Sequence, residues 1–193
     1  MTNAKHLNGT TRWGTPKAVV DRARLALGGH IGLDPMSEEA FQRTVQAQRY
    51  FTEQDDAFAQ SWACDTMLIN PDGRFVTKAW DTLVAGYETG VIGSAIWIGF
   101  STEQLCILAG GRKYPNHPLD YSVLFLRRRI PFVHHKKASG ADMPDRPSHG
   151  NYICALGVYR DVFEKAFEGL GKFFHGDFEY IRRDVVGVFG SAS

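Results

Sequence analysis

The stretch Thr66-Met-Leu-Ile-Asn-Pro-Asp-Gly-Arg-Phe75 decides the fold. Its first four residues are a short, apolar, partly β-branched run that stops at turn-forming residues, which is typical of a buried central strand as it ends. In open parallel sheets, ligands bind outside the carboxyl ends of the strands, so Asn70 and Pro71 fall where chemistry usually occurs. The alternative is a plain β-turn, with Asn70 first, Pro71 presetting φ and Gly73 last.

The bulk properties predict one compact domain. The chain has 193 residues, of which 44% are hydrophobic, and a formal net charge of +1, so a strongly basic nucleic-acid coat is excluded while a local basic face is allowed. Its 3 Cys are scattered without metal-type spacing, which indicates reduced thiols. No apolar run reaches membrane-spanning length, and Met1 to Thr11 has no signal-peptide core. We therefore predict a cytoplasmic protein.

Strands and helices alternate along the chain in the predicted structure, which favours an α/β sheet with helices on its faces. Strands are predicted at 31–33, 66–69, 95–98, 121–126 and 152–156. A first helix is predicted from Thr15 as the cap and Pro16 as the first residue to Gly28-Gly29, and a second has Trp80, Leu83, Val84 and Tyr87 on one face and ends at Gly90. A third begins at a Ser101–Gln104 capping box and continues through Leu108. A fourth has Val158, Val162, Phe163, Ala166 and Phe167 on one side. Loop and short helix are predicted at 37–62, and loops are predicted at 110–120 and 134–148.

An ordered series of short motifs resembles the phage-type DNA adenine-N6 methyltransferases, the small Dam-like enzymes of bacteriophages and prophages. The series is Trp13-x-Thr15-Pro16, Leu33-Asp34-Pro35, Ala47-x-Arg49-Tyr50-Phe51-Thr52, an acidic stretch before Trp62, Asn70-Pro71, Arg129-x-x-Phe132 and Pro147-Ser148-His149-Gly150-Asn151. The resemblance covers roughly residues 13–156 and implies a Rossmann-like methyltransferase sheet flanked by helices. We predict one compact domain at 13–180, between a flexible leader at 1–12 and a C-terminal tail at 181–193. The resemblance also implies S-adenosylmethionine as cofactor, DNA as partner, and the cytoplasm of a bacterial host.

The catalytic residues that the resemblance implies are Asn70 and Pro71, whose oxygens accept hydrogen bonds from the adenine amine. The family's tetrapeptide continues with a second proline and an aromatic residue, whereas this chain has Asp72 and Gly73. Asp72 is either a negative charge near the cofactor or a turn residue. The base must leave the duplex and stack on an aromatic ring, and Phe75 is the nearest one downstream.

The cofactor residues implied are Asp34 with Pro35 beside the methionine part, and Asn70 on the neighbouring strand. Trp13, Thr15 and Pro16 close this side of the site, or else form only a helix cap with a packed ring. Asp55 or Asp56 meets the adenine end of the cofactor, or else is simply solvated. The alternative for Asp34-Pro35 is a plain turn at the end of a strand.

The DNA-binding candidates are the basic residues Arg127, Arg128, Arg129, Lys136 and Lys137, together with His149, which either lines the site or is only a packed or capping residue. Phosphate contact is one interpretation and solvated loop charge the other. His134-His135 has no metal-ligand spacing, so no metal is predicted. Two further functions stay open: a non-catalytic methyltransferase-fold protein that binds DNA or protein, and group transfer to another amine.

Overall fold

A computed structural model describes residues 13–99, 101–109, 117–134 and 150–176. The strands in these ranges are β1 (Trp13–Gly14), β2 (Leu33–Asp34), β3 (Arg49–Tyr50), β4 (Cys64–Ile69), β5 (Ile92–Gly99), β6 (Ser122–Leu126), β7 (Val133–His134), β8 (Tyr152–Leu156) and β9 (Gly171–His175). The helices are α1 (Lys17–Ala26), α2 (Glu39–Val45), α3 (Val76–Glu88), α4 (Glu103–Ala109) and α5 (Arg160–Ala166). The predicted leader at 1–12 and tail at 181–193 lie outside the described residues.

Seven of the strands form one mixed sheet in the order β3-β2-β4-β5-β8-β6-β9. The first four are parallel, with Ile69 of β4 beside Trp97 of β5. β8 runs antiparallel to β5 and to β6, so β6 points the same way as β5. The carboxyl ends of β2, β4, β5 and β6 therefore meet at one edge of the sheet. β1 and β7 make a separate antiparallel ribbon.

Helices cover both faces of this sheet because its strands are apolar on both sides. Trp97 lies in one buried cluster with Trp80 of α3, whereas its neighbour Ile96 lies in the other cluster with Val20 of α1 and Phe163 of α5. This alternation follows from the two-residue period of a strand. The α/β class predicted from the sequence, with a sheet flanked by helices, is confirmed. Across the described residues, no helix has the length and apolar character needed to cross a membrane.

The predicted helices are present, but two of their ends differ. Pro16, with ψ of 150°, is the residue before α1 and lies outside it, and Thr15 is buried without capping the helix. At α4, Ser101 accepts the Glu103 N–H at 3.1 Å as a cap should. The Gln104 side chain is buried without a hydrogen-bond partner, so the reciprocal half of the predicted capping box is wrong. Val162, expected on the buried face of α5, is 37% exposed.

The predicted β-turn at 70–73 is also wrong. Asp72 has φ of −61° and ψ of 132°, which is extended backbone and unsuitable for the third position of such a turn. The hydrogen-bonded turn lies two residues later, where the Phe75 N–H bonds the Asp72 carbonyl at 2.9 Å. Asp72 stabilises this later turn because its side chain accepts the Arg74 N–H at 2.9 Å.

Candidate functional site

The chain changes direction across the sheet between β2 and β4. From β2 it moves outward to β3, and then crosses back to β4 and moves outward to β5 on the other side. The crevice outside the carboxyl ends of strands at such a switch point is where ligands bind in open α/β sheets. Asp34 ends β2, and Asn70 directly follows β4. The topology therefore brings together two side chains that the sequence predicted for one site.

A cavity of about 20 Å³ lies at this point, and we call it the switch-point cavity. Its lining residues are Trp13, Gly14, Thr15, Asp34, Met36, Ser37, Phe41, Val45, Leu68 and Asn70. Four of the predicted site residues are among them: Trp13, Thr15, Asp34 and Asn70. A side-chain Cβ at Gly14 would lie 2.5 Å from the Phe41 ring, so a larger residue there requires Phe41 to move. A cavity of this volume holds about one water molecule.

Asp34 is the single ionisable residue in that lining. It is 6% exposed, and burial raises the pKa of its carboxyl group from 3.8 to about 6. Hydrogen bonds from the Ser37 side chain, the Met36 backbone and the Gln42 side chain oppose this rise. The cavity thus presents a buried carboxylate, which a cationic group is suited to neutralise.

Asn70 is held by a contact distant in the sequence. Its side-chain nitrogen donates to the Trp13 backbone carbonyl at 2.6 Å. Because a carbonyl oxygen can only accept, the amide nitrogen must face Trp13 and the amide oxygen must face the other way. Trp13 is in turn placed by the β1–β7 ribbon, where its ring meets the His134 ring edge-on at 4.9 Å.

Asp72 is bound within its own turn. Arg74 donates to both of its carboxylate oxygens, from Nε at 3.0 Å and from Nη2 at 2.8 Å. Phe75 is 39% exposed, and its ring contacts the Phe58 ring at 5.7 Å. None of these residues lines the switch-point cavity, nor does the buried Pro71. Of the two readings left open for Asp72, its contacts are those of a turn residue.

Four predicted cofactor residues do not line the cavity either: Pro16, Pro35, Asp55 and Asp56. The Asp55 carboxylate accepts from the Thr52 backbone at 2.7 Å and the Thr52 hydroxyl at 2.8 Å, and these bonds lower its pKa. Asp56 accepts the Phe58 N–H at 3.3 Å. Both aspartates are exposed, and both stabilise local turns.

The three arginines at 127–129 are exposed and follow the end of β6. Since β6 is parallel to β5, they lie at the same edge of the sheet as Asp34 and Asn70. The other predicted DNA-binding residues, Lys136, Lys137 and His149, lie outside the described residues. Within the described ranges, no group of three or more His, Cys, Asp or Glu residues is arranged to hold a metal ion.

Gln42 is a site residue that sequence reasoning missed. Its side-chain nitrogen donates to Asp34 at 3.0 Å and to the Ser37 hydroxyl at 2.7 Å. No signal pointed to it, because a glutamine in a weakly periodic stretch of polar residues has no distinguishing spacing. Ser37 and Met36 were missed for the same reason.

Fold and site together define an α/β protein with a small cavity, lined by one buried carboxylate, at the switch point of its sheet. Comparison of the chain with protein families, with curated proteins and with solved structures found no match.

Proposed function

We propose that this chain is an S-adenosylmethionine-dependent DNA adenine-N6 methyltransferase with a Rossmann-like sheet. One observation carries the proposal: Asp34 and Asn70, from separate motifs of the resemblance, line one cavity at the switch point. Adjacent parallel strands bring their carboxyl ends to one edge of the sheet, and the two motifs supply there a carboxylate and an amide that line the same cavity.

The residues that line the cavity have the chemical groups needed to bind the amino-acid part of such a cofactor. The cofactor, when bound, supplies a methyl group on a positively charged sulfur and also carries an ammonium group. Asp34 offers the buried carboxylate that a cation needs, and Ser37 and Asn70 offer polar atoms beside it. The cavity volume of about 20 Å³ is much smaller than this ligand, so lining side chains have to shift for it to enter. Met36 is a lining side chain that is only partly buried, so we expect it to shift together with the partly buried Trp13.

The acceptor side of the proposal rests on Asn70 and Pro71. The amine of adenine is a weak nucleophile because its lone pair is conjugated into the ring, and oxygens placed to accept its two N–H bonds favour attack on a methyl group. The bond from Asn70 to the Trp13 carbonyl engages the amide nitrogen, so the Asn70 oxygen is the atom that would accept a bond from the amine. The exposed ring of Phe75 is available for a base that has left the duplex.

DNA as the acceptor is supported by the positions of the arginines. Phosphate contacts supply most of the affinity of a protein for DNA, and they act at the surface around the site. Arg127, Arg128 and Arg129 lie at the carboxyl edge of the sheet, on the side where Asn70 lies. The near-neutral chain thus concentrates positive charge where a DNA substrate would approach.

Two measurements test the proposal. Calorimetry with S-adenosylhomocysteine should show binding that Asp34→Asn abolishes, and transfer of labelled methyl groups to unmethylated DNA should fall about 100-fold in Asn70→Ala. Asp65→Asn is the matched control for Asp34→Asn, because Asp65 lies on the adjacent strand β4 but is exposed at the end of that strand away from the cavity, beside His30. Absence of binding to the natural protein would refute the proposal.

The second candidate is a methyltransferase-fold protein that binds DNA or a protein without catalysis. Asp72 favours it, since this residue replaces the second proline of the family's tetrapeptide and its carboxylate is held by Arg74. Cofactor binding without methyl transfer to DNA would support this candidate over the first. Transfer of the labelled methyl group to a small amine would instead indicate a different acceptor.

A further inference from the structure

Gln42 connects three parts of the chain around the switch-point cavity. Its side-chain nitrogen donates to the Asp34 carboxylate at 3.0 Å and to the Ser37 hydroxyl at 2.7 Å. Its side-chain oxygen accepts the Ala47 backbone N–H at 2.9 Å. Since the Ala47 N–H can only donate, it holds the oxygen of the amide and turns the NH₂ group toward Asp34.

The helix that carries Gln42 is itself fixed by packing. α2 buries Phe41 and Val45, and both of these side chains line the switch-point cavity. The helix is followed by Gln46, whose left-handed backbone with φ of 50° turns the chain so that the Ala47 N–H donates back to the Gln42 side chain. Gln42 is therefore presented to Asp34 by a helix that is packed against the cavity through Phe41 and Val45, although it does not line the cavity itself.

We propose that Gln42 is a positioning residue that orients the Asp34 carboxylate toward the cavity and keeps it ionised for a cationic ligand. This inference rests on the proposed function, because the ligand it serves is the cofactor proposed for the site. Gln42 acts through Asp34, by donating a charge-assisted hydrogen bond to one carboxylate oxygen.

Neutral groups surround the Asp34 carboxylate, so hydrogen bonds from them are what favours its ionised form. Among the described residues, β4 contributes Leu68 and Asn70 to the cavity, and β1 contributes Trp13. The charged residues of α2, Glu39 and Arg43, are exposed. β3 places the titratable Tyr50 in register with Asp34, but the groups that act on the Asp34 carboxyl are Ser37, Met36 and Gln42. Without a neighbouring cation, hydrogen-bond donors alone oppose the burial that raises the Asp34 pKa to about 6.

The test is Gln42→Met, which keeps the length of the side chain and removes its donor. Two quantities are measured: the titration of the Asp34 carboxyl carbon by NMR in the ligand-free protein, and the affinity for S-adenosylhomocysteine between pH 5.5 and pH 8.5. Loss of one charge-assisted hydrogen bond makes proton binding by Asp34 about tenfold tighter. The affinity should then fall about fivefold more at pH 6 than at pH 8.5, where Asp34 is ionised in both proteins and only the loss of its orientation remains. Gln48→Met, at an exposed position of the same segment, is the matched control and should change neither quantity.

A purely structural role for Gln42, as a support for Ala47, would lower the affinity equally at every pH and leave the Asp34 titration in place, and that result would overturn the inference. Gln42→Lys gives a second test with the opposite sign. An ammonium group beside Asp34 should lower the Asp34 pKa and weaken ligand binding at all pH values, because the carboxylate is then already paired. If the natural protein binds no S-adenosylhomocysteine, the proposed function fails, while the ligand-free titrations still decide the role of Gln42.

Discussion

Replacing Asp34 with asparagine should make the protein more stable at neutral pH. The Asp34 pKa is about 6 in the folded protein against 3.8 for an unperturbed carboxyl, so ionisation of Asp34 is harder after folding than before it. Below the lower value both states hold the proton, and the group has no effect on stability. As the pH rises from 3.8 to about 6, the unfolded chain ionises first, and the folded state progressively loses stability.

The magnitude follows from the two pKa values. Above about pH 6 the full effect applies, and the difference between the two pKa values corresponds to about 3 kcal/mol of destabilisation. At about pH 4 most of this is absent, so the contribution of Asp34 should change by about 2 kcal/mol between pH 4 and pH 7.5. Asparagine has no charge to bury and still accepts the bond from Gln42 through its amide oxygen.

Urea unfolding of the natural protein and of Asp34→Asn at both pH values measures this change directly. The difference in the free energy of unfolding between the two proteins is the quantity to compare, because all other carboxyl groups are shared and cancel. An excess stability of the variant that grows with pH is expected. Equal differences at pH 4 and pH 7.5 would refute the reasoning, since they would mean that Asp34 titrates as it does in water. Binding sites commonly lower the stability of a protein, because groups that are needed for function are not those that stabilise the fold best.

Three further predictions concern other parts of the molecule. Phe75→Ala should lower methyl transfer to DNA about tenfold, since stacking of one base on an aromatic ring is worth about 1–3 kcal/mol, and should leave cofactor affinity unchanged; transfer at the natural rate would exclude Phe75 as the stacking residue. Arg128→Ala should weaken DNA binding and reduce the slope of its salt dependence by about one, and an unchanged slope would exclude a phosphate contact. Trp80→Ala should lower the free energy of unfolding by about 3–5 kcal/mol, because Trp80 is 0% exposed and packs edge-on against Trp97 at 5.1 Å; a loss under about 1 kcal/mol in urea unfolding would contradict that packing.

The elements that were predictable from the sequence are those whose signal is local. The strand at 152–156 was predicted with the bounds it has, and the one at 95–98 lies inside β5. The end of α1 was predicted from the Gly28-Gly29 pair, and both glycines adopt positive φ in the structure, of 80° and 105°, where other residues are strained. Periodicity and helix-ending glycines depend on neighbours within about two turns, and such neighbours are visible in a sequence.

The strands that were missed depend on distant partners. β9 alternates half-buried and exposed residues weakly, and it is a strand because β6 pairs with it along its length. β1 and β7 have two residues each, and neither would be extended without the other. Short strands of this kind gain their stability from pairing and not from their own residue types.

The amino-acid sequence by itself determined the α/β class, most of the helices and strands, and the pairing of a carboxylate with an amide as candidates for one site. Only the tertiary structure decided that Asn70 is turned by the Trp13 carbonyl, that Gln42 holds Asp34, and that Asp72 belongs to its own turn with Arg74. The reason is that burial determines how easily a polar side chain ionises, and long-range hydrogen bonds determine how it is oriented. Asn70 and Trp13 are 57 residues apart, and the desolvation that raises the Asp34 pKa arises only when the elements around it close together.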